Sequence, residues 1–339
     1  MIKIEQNAEI KQVIAKIKTN IVATMDFWGV LDTYKRKKAT IPVERKLLEL
    51  YAKFGYQPST LRLSASEFYR MPYNQQIRLD AIQDENVEIK TYELPKLHLE
   101  PSDFGNKDRY MRNYTRLAYY DKDIKAPMIV EKGGTWMSPT LAERNTMQEA
   151  VDKAHGKVLT FGLGIGYFPY TSLLKNEVKS VTIIEKNERI IEIFKKHILP
   201  QFNTDKPIDI IHGDLFDYYN EEFLNRYDYV FVDIWKNETD GFPIYEQMIK
   251  RNVQGSHIDY WIENTLFFTF QDMVFSYLKA VYEQNLTERL AYFREDPETG
   301  HMINMIHGYF RGVDKTIGTE DEFLLYLNDK ATLKEMLRF

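Results

Sequence analysis

The chain predicts a doubly wound α/β fold with a parallel sheet, on three observations. An apolar strand runs straight into a glycine turn at Gly162, Gly164 and Gly166. Further β-branched strands follow it at intervals long enough for a helix between each pair. The strands end on acids, Glu185, Asp214 and Asp233, which places three carboxylates along one sheet edge.

The first strand lies in KVLTFGLGIG at 157–166. Val158, Leu159 and Phe161 make the short apolar run of a parallel strand covered on both faces. The three glycines let the backbone tighten and approach a ligand with no Cβ in the way, a Rossmann-like arrangement. Pro169 falls in the first turn of the helix expected next, where its fixed φ is preorganised. The free N–H groups of that helix favour an anionic group over the turn. A nicotinamide dinucleotide fingerprint would want a third glycine at 167, where the chain has Tyr167.

The second strand, 180–185 (SVTIIE), ends on Glu185, about twenty residues beyond the turn. An acid there can accept both hydroxyls of a ribose, and charge-assisted hydrogen bonds contribute roughly 1.5–3 kcal/mol each. The third strand, 208–212, leads into Gly213-Asp214, and the fourth, 227–233 (YDYVFVD), ends on Asp233. Taken singly, Glu185, Asp214 and Asp233 read equally well as caps of the helices that follow. Trp235 and Tyr167 flank the edge and suit either stacking on a ligand or packing.

This set resembles the ordered motifs of class I S-adenosylmethionine-dependent methyltransferases: GLGIG at 162–166, Glu185 in IIEKNE, Asp214 in HGDLFD and Asp233 in VFVDIW. Within that superfamily it is most similar to the spermidine synthase branch. The segment 178–200 carries the likeness furthest, and Gln148-Glu149 is a fainter echo. The resemblance implies a Rossmann-like seven-stranded sheet with a C-terminal β-hairpin, and S-adenosylmethionine as cofactor. It implies that Gly162, Gly164 and Gly166 line the methionine and ribose part of the cofactor. Glu185 would hold the ribose hydroxyls, Asp214 with Leu215 the adenine, and Asp233 would stand beside the sulfonium as the catalytic residue. Transfer of a methyl group to an amine or hydroxyl of a small molecule is the activity it implies.

The departures from the pattern separate the alternatives. Thr160 stands where methyltransferases commonly have an acid for the cofactor's amino group. Ile165, Lys236 and Met147 stand where spermidine synthases have an acid in the turn, a second aspartate and a tyrosine. The pieces that hold a diamine are thus altered, which ranks aminopropyl transfer second and a noncatalytic cofactor-binding relative third.

Length and composition agree with an enzyme of more than one region. With 339 residues and 44% hydrophobic content the chain can bury a large core. No apolar run reaches the roughly 18–20 residues that cross a bilayer. The charged start MIKIEQNAEIKQ lacks a secretory core, so the cytoplasm is the expected location. Cysteine is absent, which excludes disulfides and thiolate chemistry. His301 and His307 lie too far apart in an expected strand to chelate together, and no metal is expected. A net charge of −5 argues against a nucleic-acid substrate and leaves a small molecule as the expected partner. The run Lys35-Arg36-Lys37-Lys38 is expected as a solvated loop between helices.

Three regions are expected. Residues 1–85 read as helical, with Ile10, Val13, Ile14, Ile17, Ile21 and Val22 on one face of a first helix, and Pro42 and Gly55 bounding a second. This region is suited to pack on the catalytic domain or on a second subunit, so a homodimer is one arrangement open to it. Residues 86–145 alternate and are turn-rich, as in VEIKTYEL and YMRNYTRLAYY, and suggest a small β-rich segment that covers the active site as a lid. Residues 146–339 form the catalytic domain. There 257–263 is a fifth strand, 266–282 a long helix, and 289–293 with 302–310 a terminal hairpin around the turn-rich REDPETG.

Overall fold

The β-branched runs fold as expected into a parallel sheet, which has five strands among the described residues. The computed structural model describes residues 2–36, 43–53, 60–79, 81–82, 87–114, 116–131, 134–137, 141–253 and 257–339. The strands of this sheet are β1 (Gly156–Phe161), β2 (Val178–Glu185), β3 (Ile208–His212), β4 (Tyr229–Val232) and β5 (Ile258–Tyr260). They lie in the order β3-β2-β1-β4-β5, all parallel, with Val158 of β1 opposite Val181 of β2 and Tyr229 of β4. Val158, Leu159, Phe161, Val181, Ile183 and Val230 have no exposed surface, as strands covered on both faces require. The chain winds outward through β2 and β3, then returns past β1 to β4, so the order reverses between β1 and β4. Open α/β sheets bind ligands at such a switch point.

Two expectations about the sheet are corrected. Among the described residues it has five strands, not seven, and the expected terminal hairpin is a pair of helices, Leu286–Phe293 and Pro297–Arg311. The reason lies in Asp296-Pro297. Asp296 Oδ2 accepts the backbone N–H of Thr299 at 2.8 Å, and Pro297 occupies the first helical position, so this stretch starts a helix where a turn was expected. Met302, Ile303, Met305, Ile306 and Phe310 are then buried at helical spacing. The fifth strand also stops short, because Ile262 adopts φ 50° and turns the chain into the helix Glu263–Leu266.

The first helix spans Ala8–Arg36. Its Ile10, Val13, Ile14 and Ile17 join the same apolar core as the sheet, while Val22 is exposed. The N-terminal residues Lys3–Ile4 pair in parallel with Thr316–Ile317. The second helix is Val43–Lys53, with Pro42, Gly55 and the Lys37-Lys38 part of the basic run outside the described residues; Lys35 and Arg36 end the first helix. The β-rich segment pairs Val87–Leu94 with Ile124–Glu131, and the latter with Gly134–Met137. Among the described residues no helix is long and apolar enough to cross a membrane.

Candidate functional site

A cavity of about 420 Å³ opens at the carboxyl edge of the sheet, and the residues just past all five strands line it. Gly162 follows β1, Glu185 ends β2, Asp214 follows β3, Asp233 follows β4 and Trp261 follows β5.

The turn after β1 is built by contact with β2 and β4. The N–H of Gly162 donates to the Ile184 carbonyl at 2.9 Å, and that of Asp233 to the Phe161 carbonyl at 2.9 Å. Gly162 has φ 94°, and a Cβ there would lie 1.8 Å from the Asp233 carbonyl oxygen. Only glycine fits both constraints. A Cβ on Gly164 would lie 2.5 Å from Met137 Sδ, so the last strand of the β-rich segment closes over the turn. The Tyr73 hydroxyl donates to the Ile165 carbonyl at 2.5 Å and holds the turn from the helical region. Gly166 does not line the cavity; it precedes the helix Tyr167–Leu173 and lies against the ring of Phe194.

The three acids occupy different environments. Glu185 is 7% exposed, and its two oxygens accept the backbone N–H groups of Leu163 at 3.0 Å and Asn187 at 2.7 Å. The helix after β2 is capped by Asn187, which leaves Glu185 facing the cavity. Asp214 caps the short helix Leu215–Tyr218 through the Phe216 N–H at 2.9 Å and pairs with Lys186 at 2.8 Å. The Lys186 ammonium, with that N–H, holds the Asp214 carboxyl below the usual range. Asp233 is half-buried and lines the cavity. Burial, and then the charge of Glu185, push its carboxyl up to about 7, and among the described residues no hydrogen bond holds it down. Leu215 is buried and walls the cavity beside Asp214.

Of the other lining residues, Glu143, Lys186 and Trp261 carry no pattern that singles them out in the sequence. Glu143 and Met147 come from the helix Leu141–Lys153, where Gln148-Glu149 had drawn attention; both of these are exposed. Lys186 differs from neighbouring lysines only in following Glu185. Trp261 is held by its indole N–H on the Thr146 hydroxyl at 2.9 Å and by the edge of Phe104. Tyr167 and Trp235 both line the cavity and both are buried. In the stretch expected as a lid, Leu117, Ala118, Tyr119 and Tyr120 are buried and do not reach the cavity; Met137 does. His301 lies in a helix and binds Glu246 at 2.9 Å, and His307 meets the Tyr277 hydroxyl at 3.1 Å.

No protein-family model matches the chain, and no curated protein matches it. Among solved structures it is similar to spermidine synthase from Thermotoga maritima, at 19% identity over 49% of this chain and 51% of that one, with a TM-score of 0.29. A spermidine synthase in complex with the transition state analogue AdoDATO matches at 17% identity over 57% and 62%, with a TM-score of 0.35. A methyltransferase candidate from Porphyromonas gingivalis W83 matches at 18% identity over 33% and 29%, with a TM-score of 0.25. The match spans less than two thirds of each of these chains.

Proposed function

We propose that the chain binds S-adenosylmethionine in the cavity at the sheet edge and transfers its methyl group to a small-molecule acceptor. The observation that carries this reading is the convergence of the glycine turn, Glu185, Asp214 and Asp233 on one cavity of about 420 Å³. That volume falls within the roughly 300–1,000 Å³ of small-molecule sites.

The donor set fits the cofactor. The Glu185 oxygens accept the N–H groups of Leu163 and Asn187 and line the cavity, and a carboxylate oxygen has two lone pairs, so it suits a ribose hydroxyl as a further donor. Asp214 keeps capacity for the adenine amino group, with Leu215 as an apolar wall. Gly162 and Gly164 leave the space that a Cβ would fill. When bound, the sulfonium supplies an electrophilic methyl carbon and leaves as a neutral thioether.

The chain's own residues then have three tasks. Asp233 and Glu185 place negative charge near a cationic sulfur. Met137, Met147, Trp235 and Trp261 exclude water and orient the acceptor. Asp233 takes the proton that an amine or hydroxyl must lose, and a carboxyl pushed up to about 7 is matched to that work near neutral pH.

Aminopropyl transfer to an amine is the second reading. Among the described residues Glu143, Glu185, Asp214 and Asp233 line the cavity against one cation, Lys186, which favours a cationic acceptor. Calorimetric titration with S-adenosylmethionine, its decarboxylated form and NAD in parallel tests both. Tight binding of the first alone supports methyl transfer, and preference for the second moves the assignment to aminopropyl transfer. Binding of neither overturns both.

A further inference from the structure

A second cavity, of about 290 Å³, lies where the C-terminal helices meet the β-rich segment. Among the described residues it shares no lining residue with the first. Three cations line it, Lys107, Arg109 and Lys330, and no carboxylate does among the described residues. Their acids stand outside the lining. Lys107 is only 8% exposed; its ammonium donates to the Phe268 carbonyl at 2.7 Å and to Asp272 at 2.8 Å, which leaves a third N–H. Arg109 meets Asp321 at 2.6 Å, and Asp321 is 89% exposed. Lys330 meets Glu263 at 2.9 Å, a carboxylate it shares with Lys334. The Arg109–Asp321 pair is exposed and therefore weak, and it leaves most of the guanidinium donors available.

A separate observation concerns Gln271, which is 9% exposed and lines the same cavity. Its Nε2 donates to the Leu327 carbonyl at 2.8 Å, while its Oε1 is buried with no donor among the described residues. Buried acceptors in folded proteins are nearly always met, so an unmet one beside a cavity calls for a donor.

We propose that this cavity is a second binding site, for a small phosphate monoester that also carries free hydroxyl groups. The phosphate oxygens accept from Lys107, Arg109 and Lys330, whose convergence suits a doubly charged group with three acceptor oxygens. A ligand hydroxyl donates to Gln271 Oε1, and the carbon skeleton rests on Phe268. The site is independent of the cofactor assignment.

The test is calorimetric titration of the full chain with ribose 5-phosphate, inorganic phosphate and ribose. Saturable binding of the ester, about ten-fold weaker binding of phosphate and none of ribose are expected. Arg109→Gln with Lys330→Gln weakens the ester about ten-fold or more at an unchanged unfolding midpoint; if that pair unfolds, Arg109→Gln alone probes the same phosphate contact. Gln271→Leu weakens the ester and spares phosphate. Absence of saturable ester binding, an affinity unchanged by the arginine and lysine substitutions, or displacement of the ester by S-adenosylmethionine would overturn the proposal.

Discussion

The Glu185 carboxylate accepts the backbone N–H of Leu163 at 3.0 Å, so the acid that ends β2 also fixes the glycine turn after β1. One side chain thereby shapes the cavity and faces it. Glu185→Ala would leave the N–H groups of Leu163 and Asn187 without this acceptor, at about 1–3 kcal/mol of stability, and would weaken S-adenosylmethionine about ten-fold or more. Denaturant unfolding and calorimetry measure the two effects, and a folded variant with unchanged affinity would refute the ribose assignment.

Asp233 makes stability and binding depend on pH in opposite senses. Its carboxyl is raised from 3.8 when unfolded to about 7 when folded, so the native state keeps a proton that the unfolded chain releases. Stability contributed by this group is complete below about pH 4, falls as pH rises towards about 7, and is level above it, a change of a few kcal/mol. Asp233→Asn removes that slope, which unfolding at about pH 5 and about pH 8 measures. Affinity for the cationic S-adenosylmethionine should instead rise with pH up to about 7, while that for neutral S-adenosylhomocysteine should not. Equal pH profiles for the two ligands would remove Asp233 from the sulfonium.

Gly162→Ala combines a backbone at φ 94° with a Cβ 1.8 Å from the Asp233 carbonyl oxygen. Neither partner is a flexible side-chain end, so β1 and β4 would have to separate. A loss of at least about 3 kcal/mol is expected. A urea midpoint within experimental error of the parent would contradict the turn geometry.

Arg144 is a buried guanidinium to which no acid is bonded among the described residues. It donates to the Tyr120 hydroxyl at 2.8 Å, reaches Met71 sulfur, and lies over the Phe68 ring at 4.8 Å. It thus ties the helix before β1 to the helical and β-rich regions. Arg144→Ala should cost about 2–4 kcal/mol through lost packing and cation–π contact, and Arg144→Lys should recover little, since an ammonium cannot cover the ring as a plane. Thermal unfolding of both variants is the check.

Asp296→Ala removes the cap of the helix Pro297–Arg311 and should cost about 1 kcal/mol. Denaturant unfolding reads the loss, and an unchanged midpoint would return the segment to a loop or hairpin.

The residues themselves determined the strand-turn-helix at 156–173, the four strands around it and the placing of Glu185, Asp214 and Asp233 at their ends. Such features are local, because a parallel strand buried on both faces needs a continuous apolar run and the close approach of the chain past β1 to that past β4 needs glycine. REDPETG was legible only as a break: Asp-Pro both turns a chain and caps a helix, and the helical spacing from Met302 to Phe310 decided between them once a core existed to bury it. Glu143, Lys186 and Trp261 carry no local signature, and only the closing of distant segments over the sheet brought them to the cavity. The elevated Asp233 carboxyl is likewise a tertiary property, since burial and a neighbouring charge come from other strands.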